Sequence, residues 1–259
     1  MPIDRLLGIM VRLRDPQRGC PWDREQTWSS IVPHTIEEAY EIADAVARGD
    51  VDQVRDELGD LLFQVVFQSR IAEEQGLFGF DDVADGISSK LERRHPHVFG
   101  DAIIGNAAEQ AAAWERHKAE ERRAKGGAAG ALDGVTLGLP ALMRAAKLGR
   151  RAAQVGFDWP DVAGVLEKVR EEIDELQQAV AAGDAGHARE ELGDLLFSVA
   201  QLSRHLDVDP ETALRDAGGK FERRFRHVEA SLANDGRTAV DASMTELEAL
   251  WARAKRELG

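Results

Sequence analysis

Apolar residues recur at helical spacing along nearly the whole chain. Ile3, Leu6, Leu7, Met10 and Leu13 predict a first helix over residues 3–14, closed by Asp15-Pro16 and Gly19. Gly19-Cys20-Pro21-Trp22-Asp23 reads as a loop, and the chain then leads through Trp28 towards Pro33. Trp22 and Trp28 suit either a plug at the edge of a core or a surface for a flat ring. From Thr35 to about Ala47, Ile36, Ala39, Tyr40, Ala43 and Val46 predict a second helix, with Thr35 and Glu38 resembling a capping box. Arg48-Gly49-Asp50 breaks it, and Asp50 can cap a third helix over about 51–74. So short a connection makes the two helices antiparallel neighbours.

On that third helix, Glu57, Asp60, Gln64 and Gln68 fall within an arc of roughly 80°. Leu58, Leu61, Leu62, Val65 and Val66 occupy another face, with Phe63 and Phe67 on a third. A helix apolar nearly all round should turn its one polar stripe towards an enclosed site. A further helix begins at Asp81 and ends at His95-Pro96, because a proline pushes the residue before it out of the helical region. Trp114 and Lys118 lie four apart on another helix, and the small residues after Lys125 read as a linker.

The second half repeats this plan. A helix starts near Leu139-Pro140, a loop follows at Gly156-Phe157-Asp158-Trp159-Pro160, and helices over about 161–181 and 186–205 flank the turn Gly183-Asp184. Arg55-Asp-Glu-Leu-Gly-Asp-Leu-Leu-Phe-Gln-Val65 returns as Arg189-Glu-Glu-Leu-Gly-Asp-Leu-Leu-Phe-Ser-Val199, identical at nine of eleven positions. The segments beginning at Lys90 and Lys220 agree at six of ten positions, and Trp251 and Lys255 echo Trp114 and Lys118. No stretch alternates like a strand. The expected fold is all-α, with two tandem helical-bundle domains, each built round an acidic antiparallel helix pair: residues 1–125, a linker at 126–132, and residues 133–259.

Composition narrows the function. One cysteine, Cys20, excludes an internal disulfide and fits a reducing compartment. The N-terminus lacks the order of a signal peptide, and no apolar run approaches a bilayer's width, so a cytoplasmic location is expected. A net charge of −14 discourages binding to nucleic acid or anionic membrane. A polyanionic substrate would need metal or clustered cations.

Both are available. Glu172 and Glu175 share one helix face, as do Glu191 and Asp194 on the antiparallel neighbour, so four carboxylates can converge. Two like charges 4 Å apart repel by about 4 kcal/mol at an effective dielectric near 20, so such a cluster calls for cations. Oxygen ligands without His or Cys select Mg²⁺ or Mn²⁺. A di-iron carboxylate site would instead use Glu-x-x-His on two helices. Lys168 stands one turn before Glu172, Lys220 and Arg224 share a face, and Lys255 follows Trp251 by one turn. With metal, these cations could hold a polyphosphate, while Trp251 could stack on a base or brace the core. No Walker A or dinucleotide glycine motif is present.

Glu-Glu-x-x-Glu followed by Glu-x-x-Asp on paired helices, with Gly19-Cys20-Pro21-Trp22-Asp23 and Glu92-Arg-Arg-His-Pro-His-Val98, resembles the MazG family of nucleoside triphosphate pyrophosphohydrolases over nearly the whole chain. The resemblance implies Mg²⁺-dependent hydrolysis of nucleoside triphosphates to monophosphate and pyrophosphate by an α-helical homodimer whose C-terminal copy is active. It implies that Glu172, Glu175, Glu191 and Asp194 bind metal and that Lys168, Lys220, Arg224, Trp251 and Lys255 contact nucleotide. Glu171 or Glu175 could take the proton from the attacking water. The first copy keeps Glu38, Glu41, Glu57 and Asp60 as a second possible metal site, but has His34 where Lys168 stands. The alternative is a non-catalytic helical dimerisation scaffold or nucleotide sensor.

Overall fold

A computed structural model describes residues 1–102, 105–106, 109–110, 113–114, 121 and 130–259. Among these there are eleven α-helices, one short 3₁₀ turn and no strand. The chain divides into two compact units, Met1–Lys125 and Gly126–Gly259. Lys118 and most of the expected linker lie outside the described residues.

In the first unit the helices are α1 (Pro2–Leu13), α2 (Pro21–Glu25), α3 (Trp28–Arg48), α4 (Val51–Glu74), α5 (Phe80–Arg94) and α6 (Pro96–Phe99). The pair α3 and α4 turns at Gly49, whose φ of 70° is a left-handed value that glycine adopts without strain. Asp50 caps α4 by accepting from the Gln53 N–H. Met10, Ile31, Val66, Phe67 and Ile71 form the buried centre. Arg14 ties this unit together: its guanidinium donates to both Glu74 carboxylate oxygens, at 2.8 to 3.1 Å, and to the Gln26 carbonyl at 3.2 Å, and lies over Phe67.

Two expectations need correcting. The segment 19–23 is not all loop, because Pro21 opens the short helix α2 at a position where its missing N–H is no loss. The helix expected from Thr35 starts at Trp28 instead. Thr27, rather than Thr35, supplies the cap: its hydroxyl accepts from the Ser30 N–H at 3.3 Å and Ser30 reciprocates at 2.8 Å. Pro33 lies inside the helix. Thr35 serves the helix pair instead, accepting from Gln68 Nε2 of α4 at 2.8 Å.

The second unit holds α7 (Ala141–Ala153), α8 (Val162–Ala182), α9 (Ala185–His205), α10 (Pro210–Ala233) and α11 (Met244–Leu258). Gly183 and the cap Asp184 reproduce the turn between α8 and α9. Asp158 accepts from Arg204 Nη1 at 2.9 Å and meets His205 Nε2 at 3.0 Å, which clasps the loop before α8 to the end of α9. Beneath it, Gln201 is 1 % exposed, donating to the Ala145 carbonyl and accepting from Arg204 Nε. Gly149 leaves the space this amide fills: a Cβ there would stand 1.7 Å from Gln201 Oε1.

The α4 and α9 helices turn part of their polar stripe inward, while Asp60 and Asp194 stay exposed. Gln64 is buried and Glu57 half-buried, whereas Leu58 and Leu62 are 51 % and 42 % exposed. Leu192 and Leu196 are exposed in the same way on α9.

Candidate metal and nucleotide site

The antiparallel pair α8 and α9 brings Glu172, Glu175 and Glu191 together, with one carboxylate oxygen from each within 4.8 Å of the others. Glu172 is 3 % exposed, and Glu175 and Glu191 are half-buried. Asp194 lies one turn beyond Glu191 on the same helix and is exposed; it is not part of the close group of three. Three carboxylates at this spacing, with no thiolate among them, suit a hard divalent cation, so the donors present fit a magnesium-type ion.

Lys168 reaches into the cluster from one turn earlier on α8. Its Nζ lies 2.7 Å from Glu171 Oε1 and 2.8 Å from Glu172 Oε1. Hydrogen bonding to Glu171 and to Glu172 raises the lysine pKa above its ordinary value. His187, which the sequence reading missed, lies with Nε2 2.8 Å from Glu191 Oε1. The available signal was its place four residues before Glu191 on one helix, the spacing at which side chains meet.

The remaining candidates form a second group. Trp251 packs against Phe221 with ring centroids 5.1 Å apart, and Phe221 stacks on Phe225 at 6.0 Å. Together with Val228, Met244 and Leu247 they line an apolar cavity of about 260 Å³. Lys220 and Lys255 are exposed on α10 and α11, while half-buried Arg224 donates from Nη2 to the Gly259 carbonyl at 2.8 Å. Among the described residues, no hydrogen bond or ion pair joins this group to the acids. The two Phe rings beside Trp251 were not singled out in the sequence, although Phe221 directly follows Lys220.

The first unit repeats the acids without the lysine. Glu38, Glu41 and Glu57 approach within 4.8 Å, and Asp60 is exposed beyond them. Burial raises the Glu38 pKa, helped by the charges of Asp60 and Glu41. His34 lies 3.5 Å from Glu37, and Gln53 donates to Glu57 at 3.1 Å. Arg94 lies over the Trp114 ring, 4.8 Å from its centroid, and pairs with Glu121. Lys90 is half-buried on α5.

Comparison with known proteins gives a consistent answer. The family described as MazG nucleotide pyrophosphohydrolase domain matches residues 26–99 and 147–229, the two segments that contain the acidic helix pairs. The nucleoside triphosphate pyrophosphohydrolase of Escherichia coli K12 is 52% identical over 259 residues, covering 98% of this chain and 97% of that protein. The nucleoside triphosphate pyrophosphohydrolase/pyrophosphatase MazG of Thermotoga maritima is 44% identical over 253 residues, 97% of this chain and 95% of that protein. With both helix pairs inside the matched segments and near-complete coverage by these relatives, the chain belongs to the MazG nucleotide pyrophosphohydrolase family.

Proposed function

We propose that the second repeat carries the nucleoside triphosphate pyrophosphohydrolase activity of this chain, with Glu172, Glu175, Glu191 and Asp194 holding Mg²⁺ and the first repeat serving mainly a structural role. The observation that carries this assignment is Lys168 beside the acid triad, where the first repeat has only His34. A bound Mg²⁺, or Mn²⁺ in its place, supplies charge neutralisation at phosphate oxygens and a more acidic water. Lys168, Lys220, Arg224 and Lys255 offset triphosphate charge, and Trp251 offers a ring face to the base. Water adds to the α-phosphorus, the bond from that phosphorus to the bridging oxygen breaks, and pyrophosphate leaves. Glu175 belongs to the acid triad and is committed to the cation. Glu171 stands outside it with more than half its side chain exposed, which makes it the better proton acceptor once Lys168 turns to phosphate.

Incubating the pure protein with each triphosphate and Mg²⁺, then resolving the products, tests this directly. Monophosphate and pyrophosphate in equal amounts are expected. Diphosphate with orthophosphate would overturn attack at the α-phosphorus, and no product with any triphosphate would overturn the assignment and leave a scaffold or nucleotide sensor.

The working unit in this reading is a homodimer in the cytoplasm, with nucleotide as its ligand rather than nucleic acid or membrane. No helix among the described residues is long and apolar enough to cross a membrane. The dimer reading is supported by the outward leucines Leu58, Leu62, Leu192 and Leu196, each about half exposed and so worth on the order of 1 kcal/mol when the rest of its surface is covered. Light scattering should give twice the 28.4 kDa chain mass. Changing all four leucines to Glu should return the monomer mass, and an unaltered mass would sink the assignment of this face.

A further inference from the structure

Lys168 has two claims on its charge. Its ammonium stands 2.8 Å from Glu172, a carboxylate only 3 % exposed, and 2.7 Å from the exposed Glu171. An almost fully buried carboxylate without a cation is unfavourable, so in the absence of metal the lysine stabilises the cluster from within. Its own side chain is 34 % exposed, so the flexible stem has open space on one side. The first repeat provides an internal comparison. There three carboxylates converge in the same way, but His34 sits against Glu37 at 3.5 Å and, among the described residues, no lysine pairs with the acids. At the position matching Lys168 the first copy has His34, so the lysine at this point of the helix is specific to the second copy.

We infer that Lys168 is a placeholder that links metal binding to nucleotide binding. A divalent cation on Glu172 and its neighbours repels the ammonium by like charge and competes for the same carboxylate. Displaced alone, the lysine loses its charge-assisted bond to Glu172 and gains only water in its place. Displaced in the presence of a triphosphate, it gains phosphate oxygens as new partners. The lysine thus opposes metal loading of the empty site and favours it when nucleotide arrives, which limits occupation of the acids by divalent ions without substrate. Lys168 is in this sense a positioning residue as well as a phosphate contact, and the inference rests on the assignment of the second repeat as a metal and nucleotide site.

Mn²⁺ binding to the full-length protein, followed by the electron paramagnetic resonance signal of the free ion, reads this out without turnover. The first cluster is silenced in every sample by Glu38→Gln and Glu57→Gln. Without nucleotide, Lys168→Met should bind Mn²⁺ about tenfold more tightly than the parent, the order expected for one charge-assisted hydrogen bond. Adding a triphosphate with a methylene bridge between its α and β phosphorus atoms should tighten Mn²⁺ binding in the parent and in Lys168→Arg, and much less in Lys168→Met. Equal or weaker Mn²⁺ affinity in Lys168→Met, or an undiminished effect of nucleotide, overturns the placeholder role. A simple change of overall charge would tighten binding alike with and without nucleotide. If Glu172→Gln in the same background leaves Mn²⁺ binding intact, the metal assignment itself has failed.

Discussion

Glu172→Gln should lower pyrophosphate release on the order of a thousandfold at saturating Mg²⁺, the scale on which groups that organise charge at a transition state act. The substitution keeps shape and packing at a position 3 % exposed while removing the anionic donor. Lys168 retains Glu171 as a partner at 2.7 Å, so the folded state loses little. Circular dichroism and the melting midpoint should stay near the parent values. Glu38→Gln, the matching change in the first repeat, should leave turnover within about threefold of the parent, since a site contributing nothing to chemistry gives no change in barrier. Full activity in Glu172→Gln would remove the second repeat from the mechanism, and equal losses in the two variants would give both repeats a catalytic part.

Gly149→Ala should destabilise the protein by about 3 kcal/mol, against the stabilisation of about 1 kcal/mol that the same change brings in an open helix. The new Cβ would meet Gln201 Oε1 at 1.7 Å and its Cδ at 2.5 Å. A glutamine amide is flexible, but this one is 1 % exposed and has no solvent to swing into. Moving it breaks its bonds to the Ala145 carbonyl and from Arg204, leaving buried polar groups unsatisfied at about 1–3 kcal/mol each. Urea unfolding measures the result. Combining Gly149→Ala with Gln201→Ala should cost well under the sum of the two single changes, because both break the same bonds and the methyl then occupies vacated space, so the two changes should be strongly non-additive. A single variant as stable as the parent would mean the glutamine relocates freely.

The acidic centre was readable because it depends on local rules. Gly49 and Gly183 end helices, Asp50 and Asp184 restart them, and i, i+3 spacing places the carboxylates on the facing sides. The apolar surface of α4 pointed to an inward polar stripe, which holds for Gln64 and in part for Glu57 but not for the exposed Asp60. The start of α3 was misread because Pro33 looked like a boundary, whereas it removes one helical donor and the reciprocal bonds of Thr27 and Ser30 set the true start. Long-range contacts carried no periodic signal. Asp158 meets Arg204 across 46 residues, Gln201 meets Ala145 across 56, and Trp251 finds Phe221 on a different helix. Spacing also placed Lys168 near Glu172 without showing that it occupies the acids itself.

The outward faces of the two helix pairs differ in a way that bears on how the molecule could divide its labour. Along the second helix of each pair they are alike, since Leu58, Leu62 and Val65 correspond to Leu192, Leu196 and Val199. Along the first helix they diverge: exposed Ile36 and Tyr40 give way to exposed Arg170 and Asp174, while Ala39 becomes Ile173. Covering the first repeat's face strands no charge, whereas covering the second would enclose a guanidinium and a carboxylate that water otherwise solvates.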